Sequence, residues 1–191
     1  YHFNSSTGEH DFELGTRDKK LALKLCKAGS DHRKFMRQIF VSVNIKAPWY
    51  FWKQYHTYKI ATVENSTSTM HNILKKKLSE NDFEWDYVTT FRQAVLNHLN
   101  GLIRTINGLS VEIENTENKK VLKTLKYDKE KLWRELIQDI PGSFIYIKTC
   151  TLNYEVLKNI YHSRKNHKLK EWHQFCEWIK MLPYSELITI E

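Results

Sequence analysis

Arg164, Asn159 and Asn153 lie on one predicted helical segment and offer a guanidinium fork and two amides. A guanidinium fork binds phosphate bidentately, and each charge-assisted hydrogen bond contributes about 1.5–3 kcal/mol. Asn159 lies among Val156, Leu157 and Ile160, where helical propensity gives an amide no reason to be. A pocket facing that side chain would explain it. The plainer accounts are that Asn153 caps the helix that follows and that Arg164 and Lys165 complement the macrodipole at its C-terminal end.

A second constellation lies earlier in the chain. From Thr57 to His71, the side chains of Thr57, Thr62, Asn65, Ser66, Thr67, Ser68 and Thr69 supply hydroxyl and amide groups without a helical or strand period. The stretch reads as a structured binding loop or an exposed linker. Just upstream, Trp49, Tyr50, Phe51, Trp52 and Tyr55, with Lys53 and Lys59 nearby, could form a stacking platform for single-stranded nucleic acid. Aromatics on all sides of a short helix must, however, include core or subunit-interface positions. His162, His167 and His173 do not form an i, i+4 pair and lie among Lys165, Lys168 and Lys170, so no metal is expected there. Lys75, Lys76 and Lys77 read as a solvated run. No Gly-rich phosphate loop, Ser-His-Asp arrangement or usable carboxylate pair is evident.

The elements that must position these groups follow from pattern. The chain of 191 residues, 41% hydrophobic and 27% charged, suits one folded domain over residues 1–191. Because it starts at Tyr1, a missing N-terminal segment is expected. A net charge of +8 favours anionic partners: nucleotides, nucleic acid or folate-like polyglutamates. Cys26, Cys150 and Cys176 are widely spaced and odd in number, so they form neither a CxxC pair nor an obvious disulfide framework, which points to a reducing cytoplasm, and no apolar run is long enough for a membrane span. Residues 1–15 read as a loop or ragged hairpin. A helix runs from Thr16 to a stop at Gly29. Ile39, Val41, Val43 and Ile45 alternate as a strand, and Pro48 opens a short helix from Trp49 to His56 that carries Gln54. Helices are expected at 82–107, 127–139, 153–166 and 168–181, the first with Phe91, Val95, Leu99, Leu102 and Ile106 on one face, and 108–126 reads as a charged connection. The class is α+β or α/β, with one modest sheet and several packed helices.

Two collinear blocks carry a family resemblance. Ala47-Pro48, then Gln54, then the run from Thr57 to Met70 is similar to the signature region of flavin-dependent thymidylate synthases. That region has a strand, a Pro, a short helix ending in Gln, then Arg-His-Arg and a serine further on. In this register Thr57, Tyr58 and Lys59 occupy the Arg-His-Arg positions, Thr62 a serine position and Glu64-Asn65 an Asn-Glu in swapped order. Thr67 falls on the signature serine and Thr69 on an arginine. The second block, Asn153, Asn159 and Arg164, resembles the family's C-terminal helix. Asp31-His32 looks like its acid-His pair, and Ile140-Pro141 stands in for its Leu-Pro. The phrases at 31–37, 65–71 and 152–157 are closest to a divergent, phage-associated branch.

The resemblance implies a flavin-dependent thymidylate synthase-like fold and the reductive methylation of deoxyuridylate using a folate methylene donor. The cofactor would be FAD, with NADPH and methylenetetrahydrofolate as co-substrates, in a homo-oligomer, a tetramer by resemblance. His32, Lys59, Asn153 and Asn159 would face the flavin. Gln54, Lys59, Thr67 and Arg164 would bind the uracil nucleotide, with Arg164 and Thr67 the closest to catalysis. Thr57 and Thr69 lack the family's guanidinium forks, and Lys59 offers a point charge in place of a planar one. The alternative is therefore a catalytically degenerate member that binds a nucleotide, nucleic acid or protein. Either would act in the cytoplasm of a bacterium or a phage-infected host cell.

Overall fold

The computed structural model describes residues 2–4, 9–11 and 14–191. These divide into two compact units: residues 1–43, 58–63 and 151–191 form one, and 44–57 and 64–150 the other. The α+β class holds. A three-stranded sheet has the order β3-β5-β4, with β3 Phe40–Pro48, β4 Thr62–Ser66 and β5 Ile145–Asn153. The N-terminal stretch carries an antiparallel pair, β1 His2–Asn4 and β2 Glu9–Asp11.

In the first unit, α1 Thr16–Lys27 ends beside Gly29, whose φ of 108° only glycine adopts readily. Around α6 Tyr154–Arg164 lie α7 Lys170–Lys180 and the short α8 Glu186–Thr189. Leu152, Leu157, Ile160, Trp172, Ile179 and Ile188 are all fully buried. On β3 and β5 the hydroxyls of Ser42 and Thr151 meet at 2.8 Å, and the Tyr154 amide donates to the Ile39 carbonyl at 3.0 Å. These pairs run in opposite directions along the two segments, the sign of an antiparallel register.

The second unit is built on two long helices, α4 Thr90–Glu114 and α5 Lys119–Asp139. Leu99, Ile106 and Leu136 are fully buried in one cluster with Phe83 and Phe144. Here the expected boundaries need correction. Residues 80–82 form a 3-10 turn closed by a capping box between Ser79 and Asp82, and Phe83 then pairs with Phe144 in an isolated bridge. The helix therefore starts only at Thr90, where the Thr89 hydroxyl accepts from the Arg92 amide. Phe91 is 75% exposed, and Leu96 and Ile103 join the buried face instead. The stretch read as a charged connection is mostly helix. Asn118 caps α5 by accepting from the Lys120 and Val121 amides.

α2 Trp49–Tyr55 packs Phe51, Trp52 and Tyr55 inward, with the Trp52 indole donating to the Ala47 carbonyl at 2.9 Å. Pro48 sits at its N-cap in extended geometry, not at the first helical position. Residues 57–71 hold β4 and the short α3 Thr69–Asn72. The stretch read as lacking a helical or strand period thus carries a short strand and the start of a short helix. No described helix is long and apolar enough to cross a membrane.

Candidate functional site

The first unit places a concentrated set of polar side chains on α6. Asn153 is buried and its side-chain oxygen accepts from the Val156 amide at 3.0 Å, so it is the cap expected of it. From Leu152 to Ile160 every residue is buried except Asn159. Among the described residues the Asn159 amide has no hydrogen-bond partner, so its side chain points outward with its donors and acceptor uncommitted.

Burying α6 so completely takes Glu155 and Lys158 inside, and each has dedicated partners. Arg33 grips Glu155 with both edges of its fork, Nε to Oε2 at 2.9 Å and Nη2 to Oε1 at 3.1 Å. The preceding residue, His32, sits in the turn that Gly29 opens; its amide donates to the Gly29 carbonyl. Its ring is exposed and has no partner among the described residues. Lys158 donates to the carbonyls of Ile188 and Ile190. Burial lowers its pKa, and the Arg33 charge adds to that effect. His162, one turn on, lies 3.1 Å from the Ile188 carbonyl.

At the end of α6, Arg164 is fixed from three sides. Its Nε donates to the Tyr58 hydroxyl at 2.8 Å, and its guanidinium lies 5.4 Å from the Tyr58 ring centroid and 4.8 Å from that of the fully buried Trp172. Two aromatic rings and a phenol hydroxyl thus restrain the guanidinium. Tyr58 occupies the position where the signature has histidine. It is itself held: the Thr62 hydroxyl donates to its carbonyl at 2.8 Å, and the intervening Ala61 takes a φ of 58°, a left-handed conformation that costs a residue with a β-carbon. Next to Tyr58, Lys59 is exposed and its ammonium has no partner among the described residues.

The second unit holds Gln54 and Thr67. The Thr57 hydroxyl donates to the Gln54 carbonyl at 2.8 Å, so the threonine at the first signature arginine position is engaged in a local turn. Glu64 is likewise committed: Lys148 donates to it at 2.7 Å and lies 2.9 Å from His56 and 4.6 Å from the Trp52 ring centroid. Thr67 is exposed, and its amide donates to the Ile147 carbonyl at 3.2 Å. It lines a cavity of about 140 Å³ with Thr69, Asn72, Lys76 and Tyr146.

Within the first unit, then, Arg164 and Lys59 are brought to one locality by Tyr58, while His32 shares the Arg33 turn that is tied to the start of α6. Sequence reasoning missed Tyr58 as the partner of Arg164 and Arg33 as the partner of Glu155. The signal for the first was an aromatic hydroxyl at a histidine position; the second has none, because the two residues lie far apart in the chain.

No family model matches the sequence, and no curated protein matches it. Solved structures do. Flavin-dependent thymidylate synthase ThyX from Helicobacter pylori, complexed with FAD and dUMP, is 15% identical, with a TM-score of 0.62 over 93% of this chain and 83% of that one. A second structure of that enzyme with FAD and dUMP is 17% identical at a TM-score of 0.56, over 93% of this chain and 83% of that one. The UMP/dUMP methylase PolB from Streptomyces cacaoi, bound with 5-Br UMP, is 14% identical at a TM-score of 0.52, over 92% of this chain and 82% of that one. The resemblance read from the two sequence blocks is thus met at the level of architecture: the chain has the flavin-dependent thymidylate synthase fold.

Proposed function

We propose that the protein binds a uracil nucleotide and FAD and carries out a flavin-dependent reductive methylation of deoxyuridylate. Supporting this reading above all is the held guanidinium of Arg164, at the family's nucleotide position and oriented by Tyr58 and Trp172. Neighbours of the same fold carry FAD with dUMP, or a brominated UMP. Arg164 and Lys59 would neutralise the nucleotide phosphate. The assignment of Gln54 and Thr67 to the nucleotide rests on the sequence resemblance alone.

The residues fit a flavin in one respect: Asn159 and His32 present uncommitted polar groups, and Asn159 does so from a helix otherwise buried at that level. Asn159 and His32 would hold the ring system and Asn153 would set the start of the helix that carries Asn159, with Lys59 adding positive charge. When bound, FAD would supply the redox chemistry, drawing on NADPH, with methylenetetrahydrofolate as carbon donor. Binding, orientation and charge neutralisation are the work of the chain itself. The reading includes a cytoplasmic homo-oligomer, a tetramer by resemblance, and light scattering at micromolar concentration would detect a monomer that contradicts it.

One observation favours a second reading. Thr57 spends its hydroxyl on Gln54, so one of the family's forks is replaced by a group already engaged, as in a binding module that has lost the chemistry. Calorimetric titration with dUMP in the presence of FAD separates the two. Arg164→Ala should weaken binding by about 1.5–3 kcal/mol, with Arg164→Lys recovering part of it, because the planar fork is lost. Tyr58→Phe should cost less, since the ring remains and only the hydroxyl acceptor goes. A wild type that binds FAD and dUMP but transfers no methylene group would favour the second reading. A wild type with no uracil-nucleotide affinity would end the first.

A further inference from the structure

We propose that His98, Glu135 and Asp139 form a divalent transition-metal site that fastens α4 to α5, and that zinc is the ion the donors suit. The three side chains each offer a ligand atom, and these atoms all lie within 4.8 Å of one another. His98 Nε2 is 2.7 Å from Asp139 Oδ2. A tetrahedral zinc ion with bonds of about 2.0–2.2 Å separates its donors by about 3.3–3.6 Å. An ion would therefore require the His98–Asp139 contact to open and the longer separations to close.

The spacing is chemically pointed. Glu135 and Asp139 are four residues apart on α5 and so share one face. Two carboxylates in that relation repel, which makes a cation between them a net relief. The third donor comes from the other helix and is a nitrogen. One imidazole with two carboxylates suits zinc, cobalt or nickel; calcium and magnesium prefer all-oxygen sets.

The carriers are held in place by the core. Leu99 follows His98 and Leu136 follows Glu135, and both leucines are fully buried in the same cluster. Ligands whose backbones are anchored in this way lose little freedom when they converge on an ion. Access is open: the side chains of His98 and Asp139 are 46% and 43% exposed. A water would complete a three-ligand site of this kind. The trio differs from His162, His167 and His173 in carrying two carboxylates, although Lys131 and Arg134 lie beside Glu135 on α5.

The full chain, stripped with a chelator, should take up a single equivalent of zinc in a calorimetric titration and none of magnesium, and should melt at a higher temperature once loaded. His98→Ala should weaken zinc binding by about tenfold or more, since losing even an outer-shell partner of a metal ligand has an effect of that order. Asp139→Asn, which keeps the shape and a contact to His98, should weaken it too, and it serves if the alanine variant does not fold. Cobalt loading should give visible absorption that both variants lose. Replacing His162 and His173 by Gln should leave zinc uptake unchanged. The proposal is overturned if the wild type takes up no zinc, if His98→Ala and Asp139→Asn bind as tightly as wild type, or if uptake disappears with His162 and His173.

Discussion

Helix α5 runs for 21 residues and buries one of them, Leu136. Helix α6, at 11 residues, buries Tyr154, Glu155, Val156, Leu157, Lys158 and Ile160. The first is an amphipathic scaffold, a narrow apolar stripe with a charged exterior. The second takes ionised groups into the interior, where each needs a partner to offset its lost hydration. Glu155 has Arg33, and Lys158 has the carbonyls of Ile188 and Ile190. A helix that only had to fill space would be more stable with apolar residues there. The side chain that α6 leaves exposed at its centre is Asn159.

The sharpest way to break the contrast is at the stripe itself. Leu136→Ala should destabilise the protein by about 3–5 kcal/mol, since it removes a fully buried side chain and leaves a cavity among Leu99, Ile106 and their neighbours. Replacing exposed lysines of the same helix, such as Lys123 or Lys126, should change stability by about 0.5 kcal/mol or less. Urea denaturation measures both. Equal effects from the two kinds of substitution would mean α5 is not held by its stripe.

On α6 the vulnerable positions are the charged ones. Glu155→Ala should cost about 2–3 kcal/mol, somewhat below the loss for a fully buried pair, because the Arg33 and Glu155 side chains retain 17% and 12% exposure. Glu155→Gln, which keeps the shape and one acceptor, should recover part of that loss. A Glu155→Ala variant as stable as wild type would place the pair among exposed ion pairs that contribute little.

The same contrast explains what was legible in the sequence. β3 was readable because Ile39, Val41, Val43 and Ile45 alternate without interruption, and the Gly29 stop was readable because only that residue suits the turn. The α5 stripe was also present, at Leu122, Leu125, Leu132 and Leu136, but was hidden by surrounding lysines and overlooked before residue 127. β5 escaped because Lys148 interrupts its inward face; the structure resolves the conflict by pairing that lysine with Glu64 and stacking it on Trp52. Asn159 was identifiable as a candidate because it is a polar group in an apolar helical context, whereas Asn153 and Arg164 were identifiable through the family resemblance. What surrounds them was not. The contacts of Arg33 with Glu155, Tyr58 with Arg164 and His98 with Asp139 depend on long-range topology, which residue spacing does not encode.

The smallest expected effect concerns pH and belongs to α6. His162 is partly buried near the Lys158 ammonium, and burial, followed by the Lys158 charge, holds its pKa below the ordinary 6.5. Well above pH 6.5 the ring is neutral in both folded and unfolded chains and contributes nothing to the pH dependence. As pH falls through 6.5 the unfolded chain takes up a proton that the folded one resists, so the unfolded state binds more protons and stability declines with acidification. The decline is complete once pH passes below the folded value. His162→Gln removes this titration while keeping a side-chain donor for the Ile188 carbonyl. Its melting temperature should therefore match the wild type near neutrality and fall less steeply below pH 6.5. Some slope should remain from His167, whose pKa burial also lowers, whereas Glu186 and Glu191, held below 4.5 by their lysine partners, act only in stronger acid. Melting curves of the two proteins between neutrality and mild acid test the point. Parallel curves would mean that the Lys158–His162 pair is no more sensitive to protons than an exposed histidine on the scaffold.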